Sequence, residues 1–179
     1  MNKKLLSLSR QVGERLLSQQ WQLSCAESCT GGWLARAITD VAGSSAWFES
    51  GYVTYSNAAK QRMLGLSAHY FEGEGAPGAV SAATVLAMAE AALQHSGADF
   101  AVATSGIAGP GGGSADKPVG TVWIAWAWNT GGAGKTASLA QVQRFLGGRE
   151  AVRKQSVEAA LRGLLHLLEQ QLKPQEGIL

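Results

Sequence analysis

The chain holds 179 residues with a formal net charge of +2, and 46% of them are hydrophobic against 16% charged. That is enough apolar material for one core of useful size, and the basic residues are scattered, with no Lys/Arg stripe of the kind that marks a nucleic-acid surface. No run reaches the roughly 18 uninterrupted apolar residues of a membrane span, and Arg10, Glu14 and Arg15 sit where a signal peptide needs an apolar centre, so a cytoplasmic protein without a membrane partner is expected. Cys25 and Cys29 are the only cysteines and offer no disulfide framework, while His69, His95 and His166 match no metal spacing. Neither a metal nor another cofactor is expected.

Leu5, Leu8, Val12, Leu16 and Leu17 recur at three- and four-residue steps and predict an amphipathic helix over 4–19. "WQLSCAE" reads as a short strand. It leads through Ser28-Cys29-Thr30-Gly31-Gly32 into a second helix carrying Trp33, Leu34, Ala37, Ile38 and Val41. "WFESGYVTYS" is strand-like, and Ser56 is placed to cap a short helix "NAAKQRMLGL". Residues 65–80 form a glycine-rich surface loop, after which Ser81 caps an alanine-rich helix to about residue 95. "ADFAVATSG" is a buried strand, followed by the glycine-proline loop "GIAGPGGGSADKPVG".

"TVWIAWAW" and "TASLAQVQRFL" alternate like paired strands, and strict alternation puts Trp126 and Trp128 on one face with Trp123 on the other. That wealth of tryptophan is more than one core is expected to cover, and a homodimer is the expectation. A long amphipathic helix closes the chain to about residue 172, and 173–179 read as a tail. The mixture of helices and strands predicts a single domain over 1–172, a three-layer α/β/α sandwich with a mixed central sheet.

Two glycine-rich stretches invite a functional reading. "NTGGAGKT" ends like a phosphate loop, but the required first glycine is Asn129 and the segment beginning at Thr136 is strand-like, so a hairpin connection is the better reading. The turn at Ser28-Cys29-Thr30-Gly31-Gly32 is different, because a strand-to-helix exit presents a hydroxyl sharply and first-turn amides face negative charge. Ser28 or Cys29 is then a nucleophile, or Ser28 or Thr30 merely caps the helix. No histidine lies near in sequence to serve as base. Lys60, early in the helix behind Ser56, is either a solvated lysine or, if buried, a base of lowered pKa. Ser105 and Gly106 lie at a strand end, and Arg149 and Arg153 stand one helical turn apart, a fair arrangement for a phosphate.

Taken together, "AESCTGGWLARAITDVAGSSAWFESGYVTYSNAAKQRMLGL", "GAVS", "TSGIAGPGGGSADKPVGTVWIA" and "GGREAVRKQSVEAAL" resemble the CinA C-terminal-domain family, and most closely its stand-alone nicotinamide-nucleotide amidohydrolase members. The resemblance runs from about residue 5 to 170 and implies an α/β/α fold. It also implies hydrolysis of the carboxamide of nicotinamide mononucleotide to nicotinate mononucleotide and ammonia, without a cofactor, in pyridine nucleotide salvage. Carried onto this chain, it implies Ser28 as nucleophile and Lys60 as general base. Amides around Thr30 and Gly31, or from Ser105 and Gly106, are candidates for the oxyanion. Tyr55 and Asn57 are candidates for orienting Lys60 or the substrate, and Arg149 and Arg153 for the phosphate. The stretch "HYFEGEGAPG" before "AVS" is longer than the family pattern, so a loop covering the pocket could alter substrate range. A second reading stays open: a non-catalytic nucleotide-binding or competence-related partner protein.

Overall fold

In the computed structural model, which describes residues 3–131 and 134–172, the chain runs from helix α1 (Lys3–Ser18) through β1 (Leu23–Glu27), α2 (Trp33–Thr39), β2 (Phe48–Val53) and α3 (Asn57–Leu64) to α4 (Ala82–Ser96). β3 (Phe100–Gly106), β4 (Thr121–Asn129), β5 (Thr136–Arg144) and α5 (Arg149–Leu172) complete it, with short 3-10 turns at Ser44–Ala46 and Ala68–Tyr70. The tail at 173–179 and the middle of the β4–β5 connection at 132–133 lie outside the described residues.

One sheet in the order β2-β1-β3-β4-β5 organises the molecule. β2, β1 and β3 are parallel, and β4 and β5 add antiparallel to β3, which makes the sheet mixed. β1 and β3 are buried almost throughout, as expected of parallel strands covered on both faces. Side chains on one face, including Leu23, Cys25, Val102 and Ile124, pack with α1, α2 and α5. On the other face Ala26, Ala101, Ala103 and Ala125 meet Val85, Met88 and Ala92 of α4, and the small residues let that helix lie close. The three-layer α/β/α architecture therefore holds.

Local signals and tertiary packing agree at most element ends. Ser56 accepts a hydrogen bond from Ala59 N at 3.0 Å and Ser81 one from Thr84 N at 3.2 Å, so both expected caps form. β4 and β5 make the expected hairpin, and the lysine-threonine end of "NTGGAGKT" enters a strand. In α1 the buried side is Leu5, Leu8, Val12 and Leu16, whereas Leu17 is 47% exposed and does not join the core.

The tryptophans obey the expected alternation: Trp126 and Trp128 belong to the α1/α2/α5 face and Trp123 to the α4 face. Trp126 finds cover within the chain, its Nε1 donating to Ala160 O at 3.0 Å, whereas Trp123 and Trp128 are only partly buried. Its ring lies so close to α5 that a Cβ at Gly163 would sit 2.1 Å from Cζ2. In an open helix, glycine to alanine is favourable by roughly 0.5–1 kcal/mol. Here overpacking wins, and Gly163→Ala is expected to lower stability by about 1–3 kcal/mol in urea denaturation.

Candidate active site

The site forms where the parallel strands β1 and β3 end. Ser28 N donates to Thr104 O at 2.9 Å, the chain leaves the sheet, and Gly31 N donates back to Ser28 O at 3.1 Å to close a turn. Gly31 and Gly32 take left-handed φ values of 58° and 88°, which a side chain would strain. Behind the turn lies Glu27, fully buried, whose carboxylate accepts from Gly32 N at 3.0 Å, Leu34 N at 3.0 Å and Ala35 N at 2.8 Å. Neither Ser28 nor Thr30 caps α2, because Glu27 reaches those amides from inside the sheet. This corrects the expectation that the first-turn amides of α2 face a bound anion: Glu27 supplies the negative charge there. Thr30 instead places its hydroxyl 2.7 Å from that of Thr104 in the interior.

Lys60 occupies the fourth position of α3, turned inward and only 1% exposed, so it is not a solvated helix lysine. Its Nζ lies 3.0 Å from Ser28 Oγ and donates to Thr54 O at 2.9 Å. Thr54 is itself anchored through its N–H on Glu27 O at 2.8 Å, so one short segment of β1 positions both ends of the pair. Burial lowers the Lys60 pKa to about 8. At pH 7 about a tenth of the amine is therefore neutral, far more than an exposed lysine supplies. Cys29, the rival nucleophile, is 5% exposed, and burial pushes its thiol up to about 12, which keeps it protonated and inert. All three histidines are exposed, and none lines the Ser28 cavity.

That cavity has a volume of about 220 Å³ and brings Ser28, Lys60, Tyr55, Ser105, Gly106 and Arg149 together. Asn57 is exposed at the start of α3 and is not among its lining residues. The expected surface loop at 65–80 contributes a wall through Ala79 and Val80, held by Ser105 Oγ donating to Ala79 O at 2.6 Å. Ser105 thus ties down the wall with its hydroxyl. Gly106 is needed for close approach, since a Cβ would meet Thr121 O and Val122 Cα at 2.7 Å. Ile107 N donates to Thr121 O across β4, so the preceding amide, that of Gly106, points to the β1 side, beyond the end of that strand. Gly31 N, by contrast, is spent inside the turn.

Arg149 borders this cavity and also a larger groove of about 530 Å³ lined with Gly31, Gly32, Trp33, Arg36, Glu150 and Arg153. Its guanidinium donates to Tyr55 Oη at 2.7 Å and to Gly109 O at 2.8 Å. Arg153 donates to Thr30 O at 2.8 Å and lies over the Trp33 ring at 5.3 Å. Sequence reasoning missed Glu27, Thr54, Trp33 and Arg36. Only Glu27 carried a local signal, an acid just ahead of a helix start.

Among the described residues no group of three or more His, Cys, Asp or Glu side chains could hold a metal ion, and no helix is long and apolar enough to cross a membrane. Removing the Glu27 carboxylate leaves three amides without their acceptor. Glu27→Ala is expected to cost about 3 kcal/mol or more, and Glu27→Gln less, because one acceptor oxygen remains; equilibrium denaturation of both variants checks this order.

Comparison with known proteins matches this geometry to a family. The CinA C-terminal domain model covers residues 5–168. A protein of Pseudomonas putida named nicotinamide-nucleotide amidohydrolase PncC is 54% identical, over 91% of this chain and 96% of its own length. Its namesake in Enterobacter agglomerans is 52% identical, over 89% and 95% respectively. Among solved structures, the competence/damage inducible protein CihA of Agrobacterium tumefaciens superposes with a TM-score of 0.86 at 42% identity, covering 93% of this chain and 97% of that one. From the strand-end turn to the arginines of its last helix, this chain belongs to the CinA C-terminal domain family.

Proposed function

We propose that this chain is a nicotinamide-nucleotide amidohydrolase that hydrolyses the carboxamide of nicotinamide mononucleotide through a Ser28–Lys60 pair, in pyridine nucleotide salvage in the cytoplasm. The observation that carries the reading is the buried 3.0 Å contact between Lys60 Nζ and Ser28 Oγ. The names of the relatives support the substrate class. A purely binding or competence-related role gives no reason to bury a lysine amine against a hydroxyl.

In the reactive state Lys60 is neutral. One N–H holds Thr54 O, and the lone pair accepts the Ser28 hydroxyl proton as Oγ attacks the carboxamide carbon. The oxyanion so formed meets the Gly106 amide, which points past the end of β1; such a donor is worth ~3 kcal/mol. Lys60 then passes its proton to the departing nitrogen, the C–N bond breaks and ammonia leaves. Water attacks the acyl-enzyme, giving its proton to Lys60, and Ser28 Oγ leaves with that proton as nicotinate mononucleotide is released. No step needs a cofactor. The reacting ring occupies the smaller cavity, the ribose passes Tyr55 and Arg149, and the 5′-phosphate reaches the groove where Arg149 and Arg153 lie.

An ammonia-release assay over nicotinamide, its riboside, its mononucleotide and NAD tests the reading, with the mononucleotide expected to react fastest. Ser28→Ala is expected to lose at least about 1,000-fold in turnover, while Cys29→Ala stays within a few-fold of the parent and iodoacetamide does not inactivate. Full activity in Ser28→Ala would overturn the assignment. Because the base is the deprotonated amine, kcat/KM is expected to rise about tenfold per pH unit below about 8 and to level off above it. Lys60→Arg, which stays charged, should abolish that rise along with the activity.

A further inference from the structure

The groove beside the active cavity carries three guanidinium groups, Arg36, Arg149 and Arg153, against the single carboxylate of Glu150. Arg153 differs from the other two in what it holds. Its Nη2 donates to Thr30 O at 2.8 Å, and Thr30 lies two residues after the nucleophile, in the turn that Gly31 N closes on Ser28 O. The side chain is half-buried, its Nε has no hydrogen-bond partner, and Nη2 comes within 3.3 Å of where a Cβ of Gly31 would stand. A guanidinium has five N–H donors, so binding the Thr30 carbonyl leaves others for an anion. One planar group thus connects the groove to the backbone that presents Ser28.

We propose that Arg153 is a positioning residue through which a phosphate-type dianion bound in the groove raises turnover at Ser28, and not merely substrate affinity. The inference rests on the amidohydrolase reading above and deepens it. Three like charges lining one groove repel one another, and a dianion among them removes that repulsion and so secures the bond that Arg153 Nη2 makes to Thr30 O. The turn is thereby kept in the geometry that aims Ser28 Oγ at the carboxamide. Binding energy from a part of the substrate that does not react is converted into rate, which predicts that truncating the substrate lowers kcat as well as raising KM.

The test compares nicotinamide mononucleotide with nicotinamide riboside, the latter with and without added inorganic phosphite, on the parent protein, Arg153→Ala and Arg153→Lys. The riboside kcat is expected to lie about 100-fold or more below that of the mononucleotide. Phosphite should raise it saturably, by about tenfold or more, by refilling the groove. In Arg153→Ala the phosphite effect should vanish and the mononucleotide kcat fall toward that of the riboside. Arg153→Lys, a point charge without the fork, should recover affinity more than kcat.

Equal kcat for the two substrates, phosphite acting only as an inhibitor, or full phosphite activation in Arg153→Lys would each overturn the proposal. If Arg153→Ala does not fold by circular dichroism, the phosphite measurements on Arg153→Lys against the parent protein decide. Absence of ammonia from both substrates under all conditions would remove the underlying reading and the proposal with it. Ammonia released from the mononucleotide without any kcat difference removes the proposal only.

Discussion

A lysine amine placed where water scarcely reaches, with a serine hydroxyl and one backbone carbonyl for company, is the constraint around which this molecule is arranged. An ammonium brings three donors and a full charge, and two neutral oxygens satisfy it poorly. A neutral amine brings two donors and a lone pair, which suits one carbonyl and one hydroxyl. The surroundings therefore raise the share of the form of Lys60 that can take a proton. Keeping it there requires that α3 start three residues after β2, with Ser56 capping it, and that Thr54 hang from Glu27 O.

Glu27 does for the nucleophile what Thr54 does for the base. By taking the amide of the N-cap Gly32 and two first-turn amides of α2 from inside the sheet, it determines where that helix begins and so how the intervening turn must bulge. The same bonds neutralise the positive end of α2. Negative charge on a ligand is consequently left to side chains, Arg149 and Arg153 of α5 and Arg36 of α2, which line the groove beside the turn. The groove and the reacting cavity thus share the turn after β1, with Arg149 bordering both.

The glycines at 13 and 163 belong to a second theme of the fold. Each lies beneath a tryptophan, Gly13 under Trp47 and Gly163 under Trp126, and each gives up helix propensity for close ring packing. These contacts sit on the α1/α2/α5 face. The opposite face achieves close approach with alanines along β1, β3 and β4 against α4. The sheet is thus held at short distance on both sides, which keeps the strand ends carrying the site in register.

Whatever depends on short-range regularity was legible in the sequence: the order of helices and strands, the caps at Ser56 and Ser81, the faces of the three tryptophans, and the strand-to-helix turn at Ser28. Those features arise from period, from local hydrogen bonding and from backbone conformations open to glycine, all of which act within a few residues. The approach of Lys60 to Ser28, 32 positions away, does not, nor does the burial that lowers its pKa. Residue spacing alone equally allowed a solvated lysine, a cap by Thr30 and an anion at the head of α2. The packed tertiary structure decided among them, because desolvation and the pairing of distant polar groups come into being only when separate segments exclude water from the same place.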